Sequence, residues 1–346
     1  MNLSFETRRK LKSAGRIALI LAVIFAVVWV CWLVWVDRYM VYTRDGAQLD
    51  FSLTAQSYGP GTLAVPPENT VSASIYVDDG SAGQDMATVM SKLEGYYIDY
   101  AMLTSDIDTV RAAVSVLPVG SAVMMEVKSI RGNFYYTSSI SGAKTASGID
   151  VEAVDRLIAD MTARNLYVIA SVPAFRDRAY GLSHTNIGLP YVGGDGALWL
   201  DEENCYWLDP AKNGTLAYLQ NVANELRSLG FDEVMFTDFR FPETDQVEPA
   251  GDPAATIQNA AQTLTDKCTT DSFALSFLAS DSTVQAVEGR SRLYLKDVDA
   301  AGAAAAAQWY GMADPSAGVV FIIDSHDTRY DDYGALRPIT SFVGNE

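Results

Sequence analysis

The chain has 346 residues, 49% hydrophobic and 11% aromatic, with a formal net charge of −18. That composition excludes a disordered chain and supports a sizeable core. Residues 1–16 carry Arg8, Arg9, Lys10, Lys12 and Arg16 against Glu6 alone, so the remainder stands at −22, a charge that nucleic-acid phosphates would repel.

Ile17 to Val36 reads IALILAVIFAVVWVCWLVWV, 20 residues without a charge. At about 1.5 Å per residue the run spans about 30 Å, the thickness of a bilayer's hydrocarbon core. Trp29, Trp32 and Trp35 crowd its C-terminal half, where indoles favour the interface. The basic cluster precedes it, so the positive-inside rule predicts a cytoplasmic N-terminus and an extracellular main domain. A cleaved signal peptide would have a shorter apolar run and a small-residue cleavage site, whereas this run ends in Trp-Val-Asp-Arg. The sequence therefore predicts a basic cytoplasmic tail over 1–16, a single-pass signal anchor over 17–36, a stalk and lead-in over 37–93, and a main domain over 94–346.

Within the lead-in, Met40–Thr43 and Val71–Val77 are short strand candidates that pair with each other or cap the domain. From residue 94 onward, apolar strand runs alternate with amphipathic helices. Tyr97–Met102 reads as a strand and Ile107–Val116 as a helix. Ala122–Val127 is a strand, and Val151–Arg164 is a helix with Asp150 as its N-cap. Leu166–Val172 is a strand, followed by a long loop from Pro173 to Asn213. Leu216–Leu229 is a helix stopped by Gly230, and Glu233–Phe239 is a strand. Ala254–Lys267, Phe273–Leu278, Arg292–Val298, Ala300–Trp309 and Val319–Ile323 continue the alternation. Arg337–Val343 is the candidate for an eighth strand. Short apolar strands separated by helices predict an α/β fold, a parallel sheet closed as a (β/α)8 TIM-like barrel with irregular C-terminal closure. No GxGxxG or Walker A motif follows a strand, which argues against a nucleotide-binding fold.

Cys205 and Cys268 stand 63 residues apart without CxxC or CxxH spacing, so no metal site and no cofactor are expected. The two either form a disulfide outside the cytoplasm or remain buried thiols.

In such a barrel the chemistry lies where the strands end. Alternation puts Glu126 and Lys128 on one side of the second strand, as an active-site ion pair or a structural bridge under the loop. The fourth strand ends in Thr-Asp238-Phe-Arg240-Phe-Pro. A buried Asp238 requires a partner, and Arg240 or Lys128 could keep it ionised as a nucleophile. Asp281, Asp324 and Glu126 are candidate acid/base partners, with Asp281 and Glu126 preferred. Phe175 and Asp177 follow the third strand. The long loop carries Tyr180, Tyr191, Trp199, Tyr206 and Trp207, rings that either form sugar-binding platforms or fill the outer core. His184 and His326 read as isolated loop or surface residues.

Four segments resemble a known family in its order: MMEVKSIRGNFYY (Met124–Tyr136), LYVIASVPAFRD (Leu166–Asp177), LWLDEENCYWLDP (Leu198–Pro210) and LGFDEVMFTDFRFP (Leu229–Pro242). Together they resemble the putative glycosyl hydrolase domain family, bacterial barrel proteins. The resemblance implies a (β/α)8 barrel acting on carbohydrate with Asp238 as nucleophile. Two features depart from its pattern. Glu126-Val127-Lys128 stands where the family usually has Asp-Val-Lys, and Asp324-Ser325-His326-Asp327 stands where a Pro-Met-Tyr-Pro-Ser-type strand end is usual.

The expected function is a membrane-anchored, extracytoplasmic glycoside hydrolase acting on a polysaccharide or cell-wall glycan through a carboxylate pair drawn from Asp238, Glu126 and Asp281. Lys128, Arg240, Phe175, Asp177, Trp199, Trp207 and Asp324 are the expected substrate contacts. The alternative is a catalytically inactive carbohydrate-binding surface protein on the same barrel.

Overall fold

The computed structural model describes residues 29, 40–43, 46–49, 90–194 and 196–343. Apart from Trp29, the apolar run 17–36 lies outside these residues, as do most of the stalk and the strand candidate Val71–Val77. Among the described residues no helix is long and apolar enough to cross a membrane. The chain divides into two units, residues 1–80 and 81–346. In the first, Met40–Thr43 pairs antiparallel with Gly46–Leu49, the next stretch of chain.

In the second unit, eight parallel strands close into a barrel in chain order: β1 (Glu94–Ile98), β2 (Ala122–Glu126), β3 (Tyr167–Pro173), β4 (Glu233–Thr237), β5 (Ala274–Leu278), β6 (Leu293–Lys296), β7 (Val319–Ile322) and β8 (Gly334–Pro338). The helices between them include α1 (Tyr100–Ser105), α2 (Ile107–Val116), α3 (Val151–Ala163), α4 (Arg178–Ser183), α5 (Asn213–Ser228), α6 (Pro253–Cys268) and α7 (Ala303–Trp309). Aspartates start several of them by accepting an otherwise orphaned backbone N–H. Asp106 takes that of Thr109, Asp150 that of Ala153, and Asp252 that of Ala254.

The period-two alternation of the strands divides the core. Ala122, Met124, Ile169, Met235, Leu278, Tyr294, Val320 and Leu336 fill the barrel. Their neighbours, such as Val123, Met125, Val168, Val234 and Phe236, pack outward with the helices in the larger cluster. Continuing the inward set by one step carries it to Glu126 on β2 and Lys296 on β6, and on β7 it runs through Ile322 to Asp324 just after the strand, all at the C-terminal mouth. At the opposite end Glu233, at the start of β4, is fully buried. It forms an ion pair with Arg292 and accepts the hydroxyls of Tyr167 (2.8 Å) and Tyr294 (2.9 Å).

Two predicted boundaries are corrected. β1 stops at Ile98, not Met102, because the Asp99 side chain accepts the Met102 N–H at 2.8 Å and turns the next residues into α1. The eighth strand is Gly334–Pro338, not Arg337–Val343, and Thr340–Val343 is helical. Gly334 fits there because a Cβ would crowd the Leu93 carbonyl and the Val320 side chain at 2.9 Å. Glycine and alanine have weak strand propensity, which hides this strand from pattern reading. The long loop is also more ordered than predicted. It contains α4, and the antiparallel bridges Arg176–Trp207, Gly188–Leu208, Pro190–Leu198 and Leu200–Tyr206 fold it back on itself.

Candidate active site at the barrel mouth

Glu126 and Asp238 line one cavity of about 300 Å³, together with Lys128, Tyr135, Ser171 and Thr237. Glu126 is the last residue of β2, and Asp238 follows β4 directly. Only β3 lies between these strands, so their backbones stand about 10 Å apart, two strand spacings of about 4.8 Å.

Asp238 adopts φ 49°, the left-handed region that few residues other than glycine enter but asparagine and aspartate tolerate. Such a conformation costs free energy and persists where the surroundings hold it. No described residue donates a hydrogen bond to its carboxyl. Burial raises the pKa of Asp238 and the neighbouring Asp281 charge adds to this, while Arg176, Arg240 and Lys128 oppose the rise.

Glu126 accepts the Tyr100 N–H at 2.8 Å through one carboxylate oxygen. Burial raises its pKa, and so does nearby Asp99. The Tyr100 hydrogen bond and Lys296 act against this. The two carboxyls therefore have unequal company: three cations act on Asp238, and Lys296 is the one that acts on Glu126.

Asp281 follows β5 and is half exposed. Its pKa is raised by burial and lowered by Arg240 and Lys296. Its carboxylate stands 3.7 Å from Arg240 Nε. Asp324 is exposed and accepts the Tyr97 hydroxyl at 3.3 Å. Tyr97 sits inside the mouth on β1, its pKa pushed up to about 12 by burial and by Asp324.

Lys128 does not pair with Glu126 or Asp238. Its ammonium meets Asp177 at 2.6 Å with both side chains all but fully buried, and the Tyr218 hydroxyl donates to the same oxygen of Asp177 at 2.8 Å. The bridge observed is thus Lys128–Asp177, and the expected Glu126–Lys128 pair is formed neither as an active-site pair nor as a structural one. Phe175 has no exposed surface and packs against Phe239 with ring centroids 4.5 Å apart, and Asp177 is equally buried. Neither can touch a ligand, so both are corrected from substrate contacts to core.

Trp199 and Trp207 are also buried, at 9% and 3% exposure. Trp207 donates to Asp201 at 3.0 Å, and the guanidiniums of Arg240 and Arg176 lie 5.2 and 5.9 Å from its ring centroid. Its ring partners arginines, so the open aromatic platform expected from the loop is not formed by these two residues. Cys205 and Cys268 are free and buried. His184 stacks on Tyr180, and His326 meets Asp331 at the surface.

Sequence reasoning missed Tyr97, Lys296, Arg176 and Tyr135. Lys296 ends the run Leu-Tyr-Leu-Lys just as Glu126 ends Ala-Val-Met-Met-Glu, so the strand-end rule that selects one selects the other. Tyr97 was hidden by the displaced first strand. Among the described residues no cluster of His, Cys, Asp and Glu is arranged to hold a metal ion.

Beyond Asp281 the mouth opens into two hollows. One of about 590 Å³ runs along Phe241, Pro249 and Ser282. The other, about 540 Å³, runs along Arg176, Trp199 and Glu203. Arg240 and Asp281 border both.

Residues 112–305 match the family described as putative glycosyl hydrolase domain. The chain belongs to this family. The matched stretch includes β2 to β6, and with them Glu126, Asp238, Asp281 and Lys296, but leaves Tyr97 and Asp324 outside. No curated protein matches the sequence. Among solved structures, a hypothetical protein from Ruminiclostridium thermocellum ATCC 27405 is 21% identical, with a TM-score of 0.45 over 53% of this chain and 96% of its own. A GH20 exo-β-N-acetylglucosaminidase mutant from Vibrio harveyi is 11% identical, TM-score 0.47, over 72% of this chain and 50% of that one. A GH36 α-galactosidase from Geobacillus stearothermophilus is 12% identical, TM-score 0.47, over 73% of this chain and 40% of its own. The chain thus spans half or less of the length of these two enzymes.

Proposed function

We propose that the protein is a glycoside hydrolase that cuts a polysaccharide or cell-wall glycan with Glu126 and Asp238 as its carboxyl pair. The observation that carries this reading is their shared cavity at the C-terminal mouth, the end at which barrel enzymes hold their chemistry. Glycoside hydrolysis needs one carboxyl that gives a proton to the leaving oxygen and one that meets the developing positive charge at the anomeric carbon. Burial with a single opposing cation suits Glu126 to the first task. Arg176, Arg240 and Lys128 suit Asp238 to the second, because they offset part of the penalty that burial places on its ionised form.

The apolar run 17–36 anchors the protein in the cell membrane, with the basic tail in the cytoplasm and the barrel outside. Length, unbroken hydrophobicity and the preceding arginines and lysines support this placement. A stalk then lets the barrel reach glycans while the protein stays bound to the cell.

The test is a reducing-end assay of the full chain over a panel of plant, algal and bacterial wall polysaccharides, comparing wild type with Glu126→Gln and Asp238→Asn. The expected result is product from wild type and none from either variant. Glycan bound equally by all three proteins, with no product from any bound glycan, would favour a binding protein and overturn the hydrolase reading.

A further inference from the structure

Arg240 is a guanidinium with more donors than partners. It carries five N–H groups. One N–H reaches the Phe241 carbonyl at 3.4 Å, a long hydrogen bond. Its Nε is buried without any hydrogen-bond partner. Asp281 stands opposite at 3.7 Å, beyond hydrogen-bond distance. The Trp207 ring lies 5.2 Å from the guanidinium, within cation–π range. Buried unpaired donors are uncommon in folded proteins, and each calls for an explanation.

The Nε itself is closed to solvent, so the donors that a ligand can reach are the terminal N–H groups of the partly exposed side chain. Arg240 lies two residues past Asp238, and with Asp281 it borders both hollows that open from the mouth. A group seated over the two side chains from either hollow would accept from the terminal guanidinium N–H groups and donate to the carboxylate. A sugar hydroxyl does both with one oxygen, and adjacent hydroxyls on one ring do so twice.

Resting on the hydrolase reading, we infer that Arg240 and Asp281 form a subsite for a neutral sugar ring, recognised through adjacent hydroxyls, next to the cleavage point. Asp281 is then a recognition residue and not the acid/base. Neutrality follows from the pair itself. A uronate carboxylate drawn to Arg240 would be pressed against Asp281, and an amino-sugar ammonium drawn to Asp281 would be pressed against Arg240. Like charges so placed are disfavoured. The charge of the chain beyond its basic tail also weighs against polyanionic glycans.

The experiment measures binding to the full chain carrying Glu126→Gln, which blocks turnover. The probes are neutral cello-, xylo-, manno- and galacto-oligosaccharides, oligogalacturonate and chitosan oligosaccharides. At least one neutral series binds, and the two charged ones do not. Adding Arg240→Gln weakens that binding about 10- to 100-fold, the range for hydrogen bonds to a charged group. Adding Asp281→Asn instead removes the opposing carboxylate, so oligogalacturonate gains measurable affinity. Circular dichroism confirms that each variant is folded, and Arg240→Lys provides a second variant that keeps the charge but loses the fork. Neutral binding unchanged by Arg240→Gln, or a wild-type preference for a charged series, overturns the subsite while leaving the hydrolase reading intact. Absence of binding to every probe, together with no product from the wild type on the polysaccharide panel, overturns both.

Discussion

Lys128 and Asp177 meet at 2.6 Å in a place that water does not reach, directly beneath the cavity that holds Glu126 and Asp238. Pro173 O, the Tyr218 hydroxyl and the Tyr180 N–H complete the hydrogen bonds around them. The loop after β2 closes on the pair tightly, since Gly132 has φ 79° and any Cβ there would collide with Asp177. A buried pair of this kind is costly to break because removing one member strands the other as an uncompensated charge. Asp177→Asn or Lys128→Met is expected to destabilise the barrel by about 3–5 kcal/mol, as measured by denaturant unfolding. The Lys128→Met/Asp177→Leu double variant should recover part of that loss, and a double variant no better than the singles would contradict this account.

Asp238→Asn tests chemistry with little structural disturbance, because asparagine tolerates the left-handed backbone that Asp238 occupies. Together with Glu126→Gln it should lower kcat/KM by at least about 100-fold on any substrate the wild type hydrolyses. At neutral pH both variants should also be slightly more stable than wild type, since burial raises the pKa of each carboxyl and makes its ionised form unfavourable. The direction follows from linkage. A carboxyl whose folded pKa lies above its unfolded value contributes stability that is present below the unfolded value and lost as pH rises through the folded one. A thermal melt at pH 7 showing both variants less stable would refute this.

The alkaline limb of the kcat/KM profile should report deprotonation of Glu126, and so lie above the ordinary carboxyl value of 4.5. Lys296 is the cation that favours the ionised form of Glu126. Lys296→Met should therefore move that limb to higher pH, whereas a limb that stays in place would mean Lys296 does not act on the general acid.

Phe175→Ala should cost about 3–5 kcal/mol of stability, as expected for emptying a core position beneath Phe239. It should leave KM for folded enzyme within about twofold, because no part of the ring is exposed at the mouth. A large KM change at unchanged stability would restore Phe175 as a substrate contact.

The floor of the barrel offers a contrast. Glu233→Leu leaves Arg292 buried without its carboxylate and should destabilise by about 3–5 kcal/mol. Glu233 lies at the N-terminal end of β4, away from the mouth, so the folded fraction should keep its kcat. Calorimetry paired with kinetics below the melting point separates the two effects.

Much of this architecture was legible in the sequence because local rules act strongly on it. Ile107–Val116 is bounded as predicted, and Asp150 caps its helix as predicted, since apolar periodicity and an N-terminal aspartate are local signals. The barrel follows from repeated strand–helix pairs, which must bury both faces of a parallel sheet. β8 escapes pattern reading because Gly-Ala-Leu carries little strand signal, and its place is fixed by pairing with neighbouring β7 and with β1 at the other end of the domain's sequence. Glu126 and Asp238 were legible as charges at strand ends, a signal that needs no knowledge of contacts.

The sequence by itself determined the strand–helix alternation, the carboxyls that end β2 and β4, and the separation of a basic, apolar N-terminal stretch from an acidic domain. These depend on neighbours a few residues away. Tertiary structure alone decided the partners. Lys128 lies two residues from Glu126 yet pairs with Asp177, 49 positions further on, because a buried ammonium is held by whichever carboxylate the fold brings within reach. Likewise Trp207 is covered by Arg240 and Arg176 because the loop after β3 folds back on itself and meets the loop after β4 at the mouth, and no spacing in the chain encodes that convergence.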